Sequence, residues 1–400
     1  MKTPNILYLI IIAIFAIDCS SNKQLIDNLP SIDVRKSYPE KEIFLTDIAN
    51  VTYVHLCAED GDYLYHGGIK SITENTFVVM DVYSGSVLFF SRDGKPKSRF
   101  NRYGRGPKEY PVSNTSIFYD ETVDDVFMTY SGFQVYSSTG EYKRTISLPY
   151  GVGSVVHFDE QSFLVYCDPL QFRWQEKRTD SIPRSDDHPI YYRISKTDGE
   201  VLDSTRLLSK NVDLTKRGGQ IVQSKFKQMT HFADEFLLCP PAADTVFLYR
   251  KDKSITPIFC KTPLVSKFLD DYPKIVLADF LDAGRYQFMT IETLYNWDDM
   301  AKLMPFSQFE ATAFKYYMRD KKTGNIFRPK ICLMDYRGKE LFISARNTEF
   351  NGKETLARIE LDLLELKQAY AENKLSGKLK ELVATLKDDG NNVFVIAELK

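Results

Sequence analysis

The sequence is poor in the patterns that announce chemistry. Histidine occurs five times, at 55, 66, 157, 188 and 231, with no HxH or HExxH spacing. A helical two-histidine zinc site is therefore excluded. There is no Gly-x-Ser-x-Gly turn, so the nucleophile elbow of serine hydrolases is missing. There is no Gly-x4-Gly-Lys-Ser/Thr loop to cradle a nucleotide phosphate. The six cysteines include no CxxC pair, so no zinc pattern is present. Basic charge is not in excess: 52 Lys and Arg stand against 54 Asp and Glu, with a pI near 6.3. Nothing here suits a nucleic-acid partner.

Aromatic residues are plentiful. The chain has 24 Tyr and 27 Phe, which favours strands over helices. A hydrophobic share of 43% and a charged share of 26% are ordinary for a globular protein with a sizeable core. Four hundred residues could form two domains, but all-β closed folds often run this long as one.

The N-terminus reads as a targeting segment. Lys2 gives a basic start, and Ile6–Ile17 is an apolar run too short to span a bilayer comfortably. It ends at Asp18-Cys19, before a polar stretch. Residues 1–19 resemble a bacterial lipoprotein signal with Cys19 as the lipidated residue, although Asp18 stands where such signals carry a small residue. The competing reading is a cleaved secretory signal with an incidental cysteine. Residues 20–50, with Pro30 and Pro39, read as a polar tether. The remaining cysteines, Cys57, Cys167, Cys239, Cys260 and Cys332, read as free thiols; a Cys239–Cys260 bridge is the alternative in an exported protein.

The stretch Ser86–Tyr110, SVLFFSRDGKPKSRFNRYGRGPKEY, organises the rest. An aromatic strand leads into the Asp93-Gly94 turn, which supplies the positive φ of a tight hairpin. A more polar strand returns, as expected near a sheet edge. Gly104-Arg105-Gly106-Pro107 then ends the pairing. The same hairpin recurs as QVYSSTGEYKRTISL, YYRISKTDGEVLDSTRL, VFLYRKDKSITPIF and FKYYMRDKKTGNIF. The copies lie about fifty to seventy residues apart, near or above propeller-blade spacing. Short strands between turn residues fill the intervals in groups of four. Ile331–Asp335 and Leu341–Ala345 read as the start of a sixth group. Residues 362–387 carry apolar residues at helical spacing, broken at Gly377, and Val393–Leu399 reads as a last strand. The expected fold is all-β: a six-bladed β-propeller of four-stranded antiparallel blades over 51–400, with a C-terminal helical insertion at 362–387. A ring must close, and Val51–Cys57 is the expected closing strand, in one sheet with Leu341–Ala345.

Together, the Cys19 signal, VTYVHL, FFSRDGK followed by GRGPKEY, and the ending DDGNNVFVIAELK resemble the six-bladed β-propeller lipoproteins of Bacteroidales, relatives of NHL-type propellers. Gly104, Gly106, Pro107, Glu109 and Tyr110 match that family's Gly-x-Gly-Pro-x-Glu-Tyr loop. The ending departs: Asn391-Asn392-Val393 lacks the usual proline. The resemblance covers nearly the whole chain. It implies a fold and no catalytic residues, because the family's activities are mostly unassigned.

Binding groups concentrate on loops held by a rigid frame. The long connections, 102–113, 168–189, 208–224, 261–273, 294–311 and 346–354, are expected on one face. In the first, Arg102, Arg105 and backbone amides could contact an anion, with Lys108 and Tyr110 as further ligand- or partner-binding candidates. Alternatively, the loop only steers the chain between blades, with Glu109 and Tyr110 tying it down. Phe172, Arg173 and Trp174 suit sugar stacking or a protein contact, or else the Trp folds back on its own blade. Trp297 is equally ambiguous. Asp81, His157 and Asp244 could supply axial metal ligands by their places in the repeats; more often such residues cap strands. The leading expectation is a lipid-anchored envelope binding module for a glycan, peptide or partner protein, without cofactor. The alternative is a metal-dependent lyase or hydrolase at the axis.

Overall fold

The computed structural model describes residues 29–58, 61–111, 116–129, 132–148, 152–167, 191–205, 207, 227–240, 243–263, 274–294, 313–388 and 390–400. Six sheets surround one axis. The first described elements are β1 (Ser31–Asp33), β2 (Glu40–Phe44), helix α1 (Leu45–Ile48) and β3 (Ala49–His55), whose strands join the sheets of later blades. Blade 1 is β4 (Ile69–Ile72), β5 (Thr76–Met80), β6 (Val87–Ser91) and β7 (Pro96–Phe100). Blade 2 is β8 (Ser116–Asp120), β9 (Asp125–Thr129), β10 (Gly132–Tyr136) and β11 (Tyr142–Ser147). Blade 3 is β12 (Val152–His157), β13 (Ser162–Cys167), β14 (Tyr191–Ser195) and β15 (Val201–Thr205). Blade 4 is β16 (Met229–Phe232), β17 (Glu235–Leu238), β18 (Thr245–Tyr249) and β19 (Ile255–Thr262). Blade 5 is β20 (Lys274–Ala283), β21 (Tyr286–Leu294), β22 (Phe314–Asp320) and β23 (Ile326–Cys332), with the two-residue β24 (Glu340–Leu341) beside β23.

Blade 6 joins both ends of the propeller. It runs β25 (Thr348–Phe350), β26 (Thr355–Leu361), β27 (Val393–Leu399), then β3. Val393 pairs with His55 and Leu399 with Ala49 in an antiparallel ladder. The 51–57 stretch thus closes the ring, but Leu341–Ala345 is not in its sheet. Leu341 lies in β24 on blade 5, and Ala345 opens a short 3-10 turn. The innermost strand of blade 6 is β25, further along the chain.

The described part of the 20–50 tether is also corrected. Ser31–Asp33 adds parallel to β19 at the outer edge of blade 4, and Glu40–Phe44 adds parallel to β23 of blade 5. Open edges present unpaired N–H and C=O groups, and this strap covers two of them. Residues 362–387 hold helices α2 (Leu363–Ala371) and α3 (Gly377–Thr385), both inside the β26–β27 connection.

The core is six layers between neighbouring blades. Phe77, Phe90, Phe394 and Ile396 fill the joint between blades 6 and 1. Phe127, Phe133, Phe163 and Val165 fill that between blades 2 and 3. Second strands are covered on both sides: every residue of β5, β9 and β13 is buried. Each sheet packs a neighbour on both faces, so its middle strands are apolar without alternation. Cys239 is a free thiol, so the Cys239–Cys260 bridge is not formed.

Candidate functional site

Strand direction alternates within a blade. Second-to-third connections and blade-to-blade connections therefore emerge on one face, called the upper face here. First-to-second and third-to-fourth turns emerge on the other. The stretch 346–354 does not belong with the long upper connections: it spans β25 and the 351–354 turn, on the lower side.

Three upper connections of blade 1 are fastened to one another. The Val82 amide donates to the His66 carbonyl at 2.8 Å. The Asn101 amide donates to the Ser84 carbonyl at 2.8 Å. The Tyr110 hydroxyl donates to the Gly85 carbonyl at 2.9 Å. This braced ground carries Leu64, Val82, Tyr83 and Tyr103, all exposed, with Tyr83 at 77%. The His66 ring meets the Tyr83 ring edge-on at 4.9 Å between centroids. Eleven large apolar side chains are exposed among the described residues. Besides these four, Met334, Leu364 and Tyr370 lie in upper-type connections near blade 6, while only Val123 lies in a lower turn. Tyrosines on a rigid platform offer contact area with little side-chain entropy to lose.

The GRGPKEY loop is mostly occupied with itself. Glu109 Oε2 accepts from the Gly106 amide at 2.7 Å. A Cβ at Gly104 would lie 1.9 Å from that carboxylate, so a larger residue there would make the Glu109 side chain swing aside. Arg102 sends Nε to the Gly140 carbonyl at 3.0 Å, so it clasps blade 2. Tyr110 is fully buried against Phe100 and Tyr136, and burial pushes its hydroxyl up to about 12. Tyr110 is therefore a bracing residue and not a ligand contact, a correction of the sequence reading. Lys108 sits 5.0 Å from the Tyr142 ring centroid, and Arg105 is exposed. Phe172, Arg173, Trp174, Trp297 and Cys19 lie outside the described residues.

The three residues considered for an axial metal do not converge. Asp81 accepts from the His66 and Tyr83 amides and the Ser84 hydroxyl at the upper end of blade 1. Asp244, also at an upper connection, is in a buried ion pair with Lys261 at 2.9 Å. His157 lies at the lower end of the inner strand β12. Among the described residues, no three His, Cys, Asp or Glu side chains are placed to hold a metal ion.

The axis itself holds a cavity of about 50 Å3, which the sequence did not signal. Its wall includes Phe118, His157, Lys227, His231, Glu349 and Phe350. Burial drives both imidazoles toward the neutral form, His157 to about 3 and His231 to about 4. His231 stacks on Phe350 at 4.8 Å. Glu349 is held by Arg358 at 2.7 Å and by the Ser71 hydroxyl at 3.4 Å. Lys227 donates to the Thr348 carbonyl at 2.7 Å, and burial lowers its ammonium to about 8. Nearby on β20, Asp279 is fully buried beside Thr290, and burial raises it to about 7.

Comparison with known proteins bears on the fold. The profile of the DUF5128 family, a 6-bladed beta-propeller, matches residues 20–260. No curated protein matches. A "Putative exported protein" from Bacteroides fragilis NCTC 9343 is 14% identical, with 93% of this chain and 99% of that chain covered and a TM-score of 0.56. A member of the duf4221 family from Bacteroides vulgatus is 10% identical, covering 88% of this chain and 97% of its own, with a TM-score of 0.44. An inactive virginiamycin B lyase from Staphylococcus aureus, with quinupristin, is 10% identical over 88% of this chain and 100% of its own, with a TM-score of 0.37. The first likeness shows the fold alone; the other two are too loose to support any statement about this chain.

Proposed function

The chain belongs to the DUF5128 family of 6-bladed beta-propellers, and from that premise we propose that it is an envelope binding module. It is anchored by lipid at Cys19, in the manner of Bacteroidales lipoproteins of the outer membrane. It recognises a glycan, a peptide or a partner protein through its upper face. The observation that carries this reading is the clustering of exposed aromatic and apolar side chains on the upper connections, with Tyr83 and Tyr103 on braced loops. Arg105 and Lys108 on the same connection add charge for an anionic group. The name of the similar Bacteroides fragilis protein, "Putative exported protein", fits an envelope location.

The test uses two variants in the full chain. Cys19→Ser should move the protein from the membrane to the soluble fraction, because the lipid chains supply the attachment. In that soluble form, Tyr83→Ala with Tyr103→Ala should leave the thermal midpoint within about 2 °C of the parent. The pair should weaken a ligand found by glycan and peptide arrays by about 30-fold or more, since an anchoring aromatic is typically worth about 2 kcal/mol. Trp174→Ala with Arg173→Ala is the parallel variant for the β13–β14 connection. Undiminished binding in both pairs would remove the upper face as the recognition surface.

A further inference from the structure

The axial cavity contains a charge that its neighbours do not balance. Lys227 is packed round by protein yet keeps surface on the cavity. Among the described residues it makes one hydrogen bond, to the Thr348 carbonyl, and no carboxylate lies within ion-pair distance. An ammonium carries three donors, so two remain. Glu349, the acid on the cavity wall, is already paired with Arg358. Glu349 also attracts Lys227 from a distance, Arg358 repels it, and Asp279 attracts it from β20; His231 beside it is neutral. Lys70 on β4, also near Arg358, adds positive charge. Buried charges are normally paired, because an isolated one loses its hydration without compensation.

We propose that the axial cavity is a binding site for a small oxyanion, a carboxylate or phosphate group, held against the Lys227 ammonium. The cavity, about 50 Å3, has the size for such a head group rather than for a whole sugar or peptide. Neutral His157 and His231 can each offer one ring N–H from the lower side. The phenyl rings of Phe118 and Phe350 limit water there and so strengthen the attraction. Lys227 and Thr348 stand at the upper ends of the inner strands β16 and β25, and the site shares no residue with the blade 1 aromatic cluster and does not depend on its reading.

The pH response has a defined sign. Lys227 is charged below about 8 and loses its charge above it. Asp279 is neutral below about 7, and once ionised it is drawn to Arg346 and to Lys227, where it competes with the anion. Both changes weaken binding as pH rises, while the histidines stay neutral throughout the range tested.

The experiment is titration calorimetry on the full chain with inorganic phosphate and, separately, acetate, at constant ionic strength set with sodium chloride. At pH 6.5 one of the two should bind saturably, and which one distinguishes a phosphate from a carboxylate ligand. Affinity, referred for phosphate to the same ionic form at both pH values, should fall by about tenfold or more at pH 9.5. Lys227→Gln should abolish binding while the upper-face variants leave it unchanged. If Lys227→Gln fails to fold, Glu349→Gln serves: removing the wall carboxylate frees Arg358, so affinity should rise at least threefold. No saturable binding of either anion at pH 6.5, equal affinity at both pH values, or no response to either substitution would overturn the proposal.

Discussion

Asn391 shows how much one side chain can hold. Its amide donates to the carbonyls of Leu56 at 2.8 Å and Tyr63 at 3.0 Å, and its Oδ1 accepts from the Tyr65 amide at 3.3 Å. It thereby fixes the connection from the closing strand to blade 1. Asn391→Ala would leave three buried backbone groups without partners, at about 1 kcal/mol or more each. Urea unfolding should show a loss of about 2–4 kcal/mol, and an unchanged midpoint would deny the latch. The ending DDGNNV was legible as a family mark, but its job was not, because the partners lie some 330 residues away in sequence. Asp279 gives a second prediction at this scale. Its carboxyl titrates near 7 in the fold and near 3.9 when unfolded. Between those values the native state holds a proton that the unfolded state has released. Stability therefore falls as pH rises from about 4 to 7. Asp279→Asn should remove that slope and stabilise the protein at pH 7.5, read as a higher thermal midpoint; a midpoint lower at every pH would show that the carboxylate is needed.

The recurring hairpin is the element that made the fold legible, and its glycine has two separate reasons. Gly94, Gly140 and Gly199 occupy the third-to-fourth turns of blades 1, 2 and 3, at φ of 86°, 83° and 81°. Each also presses on the outer strand of the preceding blade. A Cβ would lie 2.1 Å from the His55 carbonyl oxygen at Gly94, 2.5 Å from Phe100 Cβ at Gly140 and 2.6 Å from Ile146 Cγ2 at Gly199. Gly324, in the same turn of blade 5 at φ 75°, has nothing within 4 Å. The set separates backbone strain from inter-blade contact. Gly324→Ala should cost about 1 kcal/mol, the price of the left-handed conformation alone. Gly94→Ala and Gly140→Ala should cost several kcal/mol, because backbone or a packed ring must move. Equal losses at all three would mean that the turn conformation is the whole effect. Sequence reasoning saw the first reason and not the second, since a turn motif says nothing about the neighbouring blade. Shortness hid other elements. β25 has three residues, too few for a periodic signal, so the innermost strand of blade 6 was sought earlier, at Leu341–Ala345. β1 and β2 are brief and partly polar because one side of each faces solvent, which made them read as tether. Lys227 carries no motif; its setting is made by strands from several blades and appears only when the ring is closed.

At the scale of the whole molecule, stability rests on a clasp between distant parts of the chain. β3 and β27 pair along seven residues, and the carbonyl of the final residue, Lys400, accepts from the Arg285 amide at 3.3 Å. Each other blade closes by hairpins of its own, whereas this ladder must draw together segments separated by most of the chain, at a large entropic cost. Opening this ladder exposes the blade 6–blade 1 layer of Phe77, Phe90, Phe394 and Ile396. If unfolding begins there, covalently joining the two strands should slow it. Val51 and Ala397 are directly paired, so Val51→Cys with Ala397→Cys places two thiols across the ladder. The exposed Cys57 would be changed to Ser to prevent exchange. Closing so long a loop removes conformations from the unfolded chain, worth about 6 kcal/mol in the entropic account if the native geometry is undistorted. The oxidised form should show a higher thermal midpoint and a slower unfolding rate in denaturant, and both gains should vanish on reduction. A gain in equilibrium stability with an unchanged unfolding rate would place the first opening elsewhere in the ring, because a contact still intact in the transition state does not alter the unfolding rate.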